Sequence, residues 1–370
     1  MTIVDADAHV TEKVSDIIPY MDDGPIYRRI KNTTNFKSDI LSMSAPAPAS
    51  LTYYGSETDT EDKAIGSNDG ETSGSQLPGA DGETMLKHLQ EFNIDYAILS
   101  PSTFLGVNTI NNPRFAVPLA NAYNAWIVDR FLDVDESFKS TILVAADKPD
   151  LAAEVIDNLA VEDGFVGVAL ATAGLKPPLG HELYDPIYQA AQDHGLPITL
   201  HGVSSGMIKT FPSIYEWSET KAESIFYGHH LTNIWNAVSA IARGLPARYP
   251  DLDIVFQESG ISHVPYLKWQ LDDLYMEFSE EFPFLEKLPS EYFDDNFYFT
   301  TQPIGMTAKD NSQLSTAIEL AGVDSIMYAA DFPHPTFDPP SELYTRLRGQ
   351  LGDNEEQAIM GTRALEVFGI

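Results

Sequence analysis

A closed (β/α)₈ barrel of the TIM type, with a loop-rich insertion after the first strand, is the fold class this chain predicts. Three observations carry the prediction. Eight short apolar runs alternate with longer amphipathic segments. Each run is short enough to be buried on both faces, as parallel strands under helices are. The length, 370 residues, suits one large barrel domain. A doubly wound open sheet is the alternative, but it would need a G-x-G-x-x-G loop after an early strand, and none is present.

In chain order, the expected strands are Ile3–His9, Tyr96–Leu99, Thr141–Ala145, Val166–Leu170, Pro197–His201, Leu252–Glu258, Asn296–Thr300 and Ser325–Asp331. The helical patterns between them are Glu83–Phe92, Arg114–Phe131, Leu151–Leu159 and Tyr184–His194. Asn233–Arg248, Tyr266–Phe278, Leu314–Ala321 and Asn354–Phe368 complete the set. Two stretches break the rhythm. Residues 40–82 are rich in Ser, Ala, Pro, Gly and acidic groups, and read as an insertion over the barrel mouth or a solvated loop. Residues 203–230 carry Tyr215, Trp217, Phe226, Tyr227, His229 and His230, which suits a pocket wall.

Composition excludes several classes of function. With 22 basic and 55 acidic residues, the formal charge is −33, which a nucleic-acid backbone or an anionic lipid surface would repel. Cysteine is absent, so no disulfide or thiolate chemistry is available. The opening residues carry neither a basic nor an apolar signal segment, and no run approaches a membrane span, so a cytoplasmic location is expected. Acidic residues spread along the whole chain point to a high-salt cytoplasm, where repulsion is screened within a few ångströms.

Active residues of such a barrel lie at the carboxyl ends of the strands. The first expected strand ends in Asp7-Ala8-His9, the fifth in His201 and the eighth in Asp331. Period-two geometry puts Asp7 and His9 on one side of their strand. Two imidazoles and two carboxylates suit one divalent transition metal with a position left open. Any one of these residues alone is commonly a cap or a hydrogen-bonded core group; the joint placement is the signal.

That ordered series resembles the amidohydrolase-related family of the amidohydrolase superfamily. The motifs are Asp5-Ala6-Asp7-Ala8-His9-Val10, Gly195 to Gly202, Arg248 to Val255, Glu258 to Pro265, Phe299 to Pro303 and Ala330 to His334. The resemblance implies metal ligation by Asp7, His9, His201 and Asp331, with Asp331 also shuttling protons. Asp7 replaces the usual first histidine, a harder donor that makes Mn²⁺ or Mg²⁺ competitive with Zn²⁺. Glu258 stands where many relatives carry a catalytic histidine. Relatives with two metals use a lysine after the fourth strand; here Ala171-Thr172-Ala173-Gly174 follows, so a single ion is expected. The family also implies a homodimer acting on a small molecule.

Hydrolysis of an ester, lactone or amide is the expected reaction. The metal would lower the pKa of bound water from ~15.7 towards ~7, with Asp331 and Glu258 moving the proton. Non-oxidative decarboxylation of a small aromatic or unsaturated acid is the alternative. It needs a further cation, for which Arg114 and Arg243 are candidates, and Glu258 would repel an anionic substrate. A non-catalytic ligand-binding barrel is the third reading. His334 is expected to orient substrate or a ligating carboxylate, His263 to support the site, and His230 to line the pocket. His88, His181 and His194 read as structural, and Trp126, Trp235 and Trp269 as core packing.

Overall fold

The computed structural model describes residues 1–32, 79–110, 112–172, 174–203, 210–217, 220–304, 311–334 and 337–370. Eight parallel strands run in sequence order around one sheet. They are β1 (Val4–Val10), β2 (Tyr96–Pro101), β3 (Phe138–Leu143), β4 (Phe165–Ala171), β5 (Ile198–His201), β6 (Ile254–Gln257), β7 (Phe297–Thr300) and β8 (Ile326–Met327). The outer helices are α1 (Gly82–Phe92), α2 (Pro113–Ile127), α3 (Pro149–Leu159), α4 (Asp185–Asp193), α5 (Lys221–Ala242), α6 (Val264–Glu277), α7 (Asn311–Ala321) and α8 (Pro340–Leu347). The fold is the expected TIM barrel. Residues 40–78 of the expected insertion lie outside the described residues.

Local chemistry sets the helix ends. Asp81 caps α1 by accepting Thr84 N–H at 2.9 Å, and Asn93, in the left-handed region at φ 55°, closes it. Thr220 and Glu223 form a reciprocal capping box that starts α5. The helix therefore begins at Lys221 and takes up the end of the segment read as an irregular excursion over 203–230. It stops at Ala242, before Gly244 at φ 64°, and Leu245–Arg248 is a separate turn.

The lower end of the barrel is closed by apolar packing. Val4, Ala6, Ile98, Val166, Val255 and Met327 meet Ala364, Val367 and Phe368 from a further helix, Arg363–Phe368. The main core lies between strands and helices and includes the buried stack of Phe256 on Phe299, 5.1 Å between centroids. Trp126 belongs to this core, but Trp269 is 57% exposed, correcting its reading as packing. On α6 it is Leu267 and Leu271 that turn inward, so the aromatic residue between them is left outside.

The seam between the last and first strands is irregular. β8 keeps only two ladder residues where a strand to Asp331 was expected. Beyond it, Ala6 N–H donates to Tyr328 O, Asp331 N–H to Asp7 O and His9 N–H to Phe332 O, which closes the ring. A regular parallel ladder would next bring Ala330 N–H to Ala6 O. Instead Ala330 N–H donates to Asp5 Oδ1 at 2.8 Å, and Ala6 O accepts from Gln257 Nε2 at 2.8 Å. On its other side β1 carries a register shift between Asp5 and Ala8.

Candidate metal centre

The strand ends deliver their polar residues to one buried point at the upper end of the barrel. Asp7 and His9 come from β1, and His201 is the last residue of β5. Glu258 directly follows β6, and Asp331 lies four residues past β8. Both carboxylate residues sit in the left-handed region, at φ 52° and 59°, conformations that cost a non-glycine residue of order 1–2 kcal/mol. The turn out of each strand is thereby sharp enough to leave the side chain at the mouth.

His9 Nε2 is the hub. It lies 3.7 Å from Asp7 Oδ1, 3.4 Å from Asp331 Oδ1 and 3.0 Å from His201 Nε2. His201 Nε2 is in turn 3.4 Å from Asp7 Oδ2 and 3.5 Å from Glu258 Oε2. Two ligand clusters, Asp7–His9–His201 and His9–Asp331–His334, each fall within 4.8 Å. They share His9, whose other nitrogen is engaged elsewhere, so they are halves of one centre. The structure thus brings Asp7, His9, His201 and Asp331 together.

Ring tautomers follow from the backbone. His9 Nδ1 donates to Pro101 O at 3.1 Å and His201 Nδ1 to Gly202 O at 2.7 Å, since a carbonyl can only accept. When both rings are neutral, each therefore turns a bare Nε2 lone pair towards the other. Both Asp7 oxygens are buried without a hydrogen bond. Facing lone pairs and orphaned carboxylate oxygens call for a cation at their meeting point, and this donor set fits a divalent ion.

The electrostatics agree. Burial pushes the Asp7 carboxyl up, but the His201 and His9 imidazoles outweigh it and hold Asp7 below the usual range. Burial alone would lower His201, yet Asp7, Glu258 and Asp331 raise it to about 9. His9 is lowered to about 3, by burial first and then by His334. Positive charge is favoured at this spot. Burial and the neighbouring Glu258 raise Asp331, against the pull of His334. For Glu258, His229 and His201 overcome burial and keep the carboxylate ionised.

The remaining expectations separate. His334 Nδ1 hydrogen bonds to Asp331 Oδ1, while Gln302 Nε2 donates to Asp331 Oδ2 at 3.0 Å. His230 instead donates Nδ1 to Phe226 O and stacks on Phe226. Its neighbour His229 reaches Glu258 Oε1 at 2.8 Å, a partnership the sequence reading missed. Adjacent helical residues point about 100° apart, so only one of the two histidines can face Glu258. His263 packs edge-on against Phe299 and His230, 6.1 and 6.4 Å between centroids. His88 stacks on Phe332, next to Asp331, at 3.4 Å. Arg243 bonds to Ser239 on its own helix, and the described ion-pair partners of Asp7, Glu258 and Asp331 are all histidines.

A family model described as Amidohydrolase matches residues 4–370. The chain belongs to the amidohydrolase family. It is 24% identical over 300 residues, 77% of this chain and 87% of the relative, to gamma-resorcylate decarboxylase of Rhodococcus jostii strain RHA1. Among solved structures it resembles an amidohydrolase from Mycobacterium avium subsp. paratuberculosis K-10, with 18% identity, TM-score 0.75, and coverage of 100% of this chain and 99% of that one. It also resembles a mutant 5-carboxyvanillate decarboxylase from Novosphingobium aromaticivorans DSM 12444 with bound manganese and 3-methoxy-4-hydroxy-5-nitrobenzoic acid. That match has 17% identity, TM-score 0.71, and coverage of 100% and 97%.

This member of the family is an enzyme, which sets aside the non-catalytic barrel. The expectation of hydrolysis is overturned, because the relatives with a named reaction are decarboxylases. Glu258 does not face an anionic substrate unpartnered, because His229 Nδ1 hydrogen bonds to its carboxylate. No helix among the described residues is long and apolar enough to cross a membrane.

Proposed function

We propose that this enzyme is a metal-dependent, non-oxidative decarboxylase of a small hydroxylated aromatic acid. One observation carries the reading: a cation cradle and a proton-holding carboxylate–imidazole pair share a single centre. The alignment with gamma-resorcylate decarboxylase supports it. Asp7, His9, His201 and Asp331 would hold the ion, and the manganese bound in the Novosphingobium relative favours Mn²⁺ over Zn²⁺ or Mg²⁺. When bound, the ion supplies a Lewis acid for the substrate's carboxylate and an adjacent hydroxyl oxygen.

The chain's own residues do the rest. His9 and His201 present Nε2 because their Nδ1 atoms are fixed on carbonyls. Asp331 Oδ1 and His334 Nδ1 share a proton on one hydrogen bond beside the cradle. That proton passes to the ring carbon as the bond to the carboxylate breaks, so carbon dioxide leaves and the arene gains one hydrogen. Gln302 holds the other Asp331 oxygen, which keeps the carboxyl oriented during transfer. Glu258, held by His229, carries the compensating negative charge at the rim. Burial of the cluster excludes water from the reacting carbon.

The test is a panel of hydroxybenzoates incubated with Mn²⁺-loaded protein while carbon dioxide is measured. Release that is abolished by chelator is the expected result. No release from any member, or equal release without metal, would overturn the assignment. The family resemblance further supports pairing of two copies, which sedimentation velocity tests; a monomer at micromolar concentration would refute it.

A further inference from the structure

Among the described residues, one buried carboxylate near the centre bonds to backbone rather than to the histidines. Asp5 is fully buried, and its Oδ1 accepts two backbone N–H groups, from Asp7 at 3.1 Å and from Ala330 at 2.8 Å. The first donor belongs to a residue of the cradle and the second directly precedes Asp331. Asp5 Oδ2 is buried without a hydrogen bond, so the anchoring rests on a single oxygen.

The regular ladder acceptor for Ala330 N–H already serves another donor. Ala6 O, the acceptor a regular ladder would offer Ala330, is occupied by Gln257 Nε2. Deleting the Asp5 carboxylate would leave two buried N–H groups unpaired, at ~1–3 kcal/mol each, and the seam would shift to satisfy them. Any such shift alters the separation of Asp7 and Asp331, since their two segments are joined along this seam. Metal sites are sensitive to supports of this kind: losing one typically weakens binding about 10–100-fold.

We propose that Asp5 is a positioning residue, tying the first and last strands together so that Asp7 and Asp331 reach a common ion. The proposal rests on the reading of the cluster as a divalent metal centre. It requires an acceptor oxygen at Oδ1 rather than a charge, so asparagine should serve and alanine should not.

Mn²⁺ affinity, followed by the loss of the free-ion electron paramagnetic resonance signal, separates these cases without an activity assay. Asp5→Ala should bind Mn²⁺ at least about tenfold more weakly than wild type, and Asp5→Asn within about threefold. Lys268→Met controls for general destabilisation, since Lys268 bonds to Asp294 and Ala321 O in the helical layer. It should melt at lower temperature with its Mn²⁺ affinity kept. If the alanine variant does not fold, Asp5→Ser replaces it, because its shorter hydroxyl cannot reach both N–H groups. Wild-type affinity in the alanine or serine variant would overturn the proposal. So would equal weakening by asparagine, or by Lys268→Met. Wild-type protein that binds no Mn²⁺ would instead overturn the centre on which the proposal stands.

Discussion

His229 Nδ1 lies 2.8 Å from Glu258 Oε1, so a helix outside the barrel supplies a hydrogen-bond donor to a carboxylate at the mouth. A hydrogen bond to a charged group contributes ~1.5–3 kcal/mol, roughly 10–100-fold in rate when the charge matters to turnover. His229→Ala should lower carbon dioxide release by about that factor. His229→Asn, whose amide can take the place of Nδ1–H, should lose less. Steady-state rates at saturating Mn²⁺ check the order, and full activity in the alanine variant would remove His229 from the site.

Metal removal should be visible in stability. A ligand that binds only the folded chain adds about 2.7 kcal/mol at a hundredfold excess over its Kd. Melting in chelator should therefore fall below melting in excess Mn²⁺, and Asp7→Asn should shrink the gap. Coincident melting curves for wild type would contradict the cradle.

Asp331→Asn removes the shared proton while keeping side-chain shape. Positioned proton transfer contributes about 10²–10⁴-fold, so carbon dioxide release should fall at least a hundredfold. A variant retaining a tenth of wild-type turnover would show that the proton travels another way.

Acid sensitivity follows from His88, which burial lowers from 6.5 to about 4. The unfolded chain binds this proton below its pKa near 6.5, whereas the folded chain resists it until about 4. Its contribution is full at neutral pH and is lost as pH falls through that window. Glu12, raised to about 7 by burial, acts with the opposite sign over an overlapping range. The difference between wild type and His88→Phe therefore isolates the histidine. Chemical denaturation at pH 7 and pH 4.5 should show the wild type losing more stability than the variant, and parallel losses would refute the assignment.

The charge of −33 bears on salt. Self-repulsion in a chain this acidic is screened more strongly as the Debye length falls from ~10 Å at 0.1 M to ~3 Å at 1 M. Melting temperature should rise between 0.1 and 2 M potassium chloride. A flat or falling profile would show that self-repulsion does not limit the stability of this chain.

Much of this architecture was legible in the chain because it obeys local rules. Short apolar runs followed by amphipathic segments specify a β/α rhythm, and polar strand ends specify where chemistry collects. Asp7, His9, His201 and Asp331 were found that way, and the structure gathers them. The start of α5 was also legible, in the Thr220–Glu223 spacing, but the aromatic residues around it drew the reading towards a pocket wall. Choosing His229 over His230 required the phase of that helix against the barrel, which no local pattern supplies. The short β8 was beyond sequence reasoning too. Its apolar run continues to Ala330, and the interruption comes from a side chain 325 positions earlier, Asp5.

That last contact orders events in time. Asp331 is synthesised long after Asp7, yet the two meet across one join. A nascent chain that has threaded seven strands holds Asp7, His9 and His201 but still lacks Asp331 and His334. The four side chains share one point only once the segment after β8 has docked against β1.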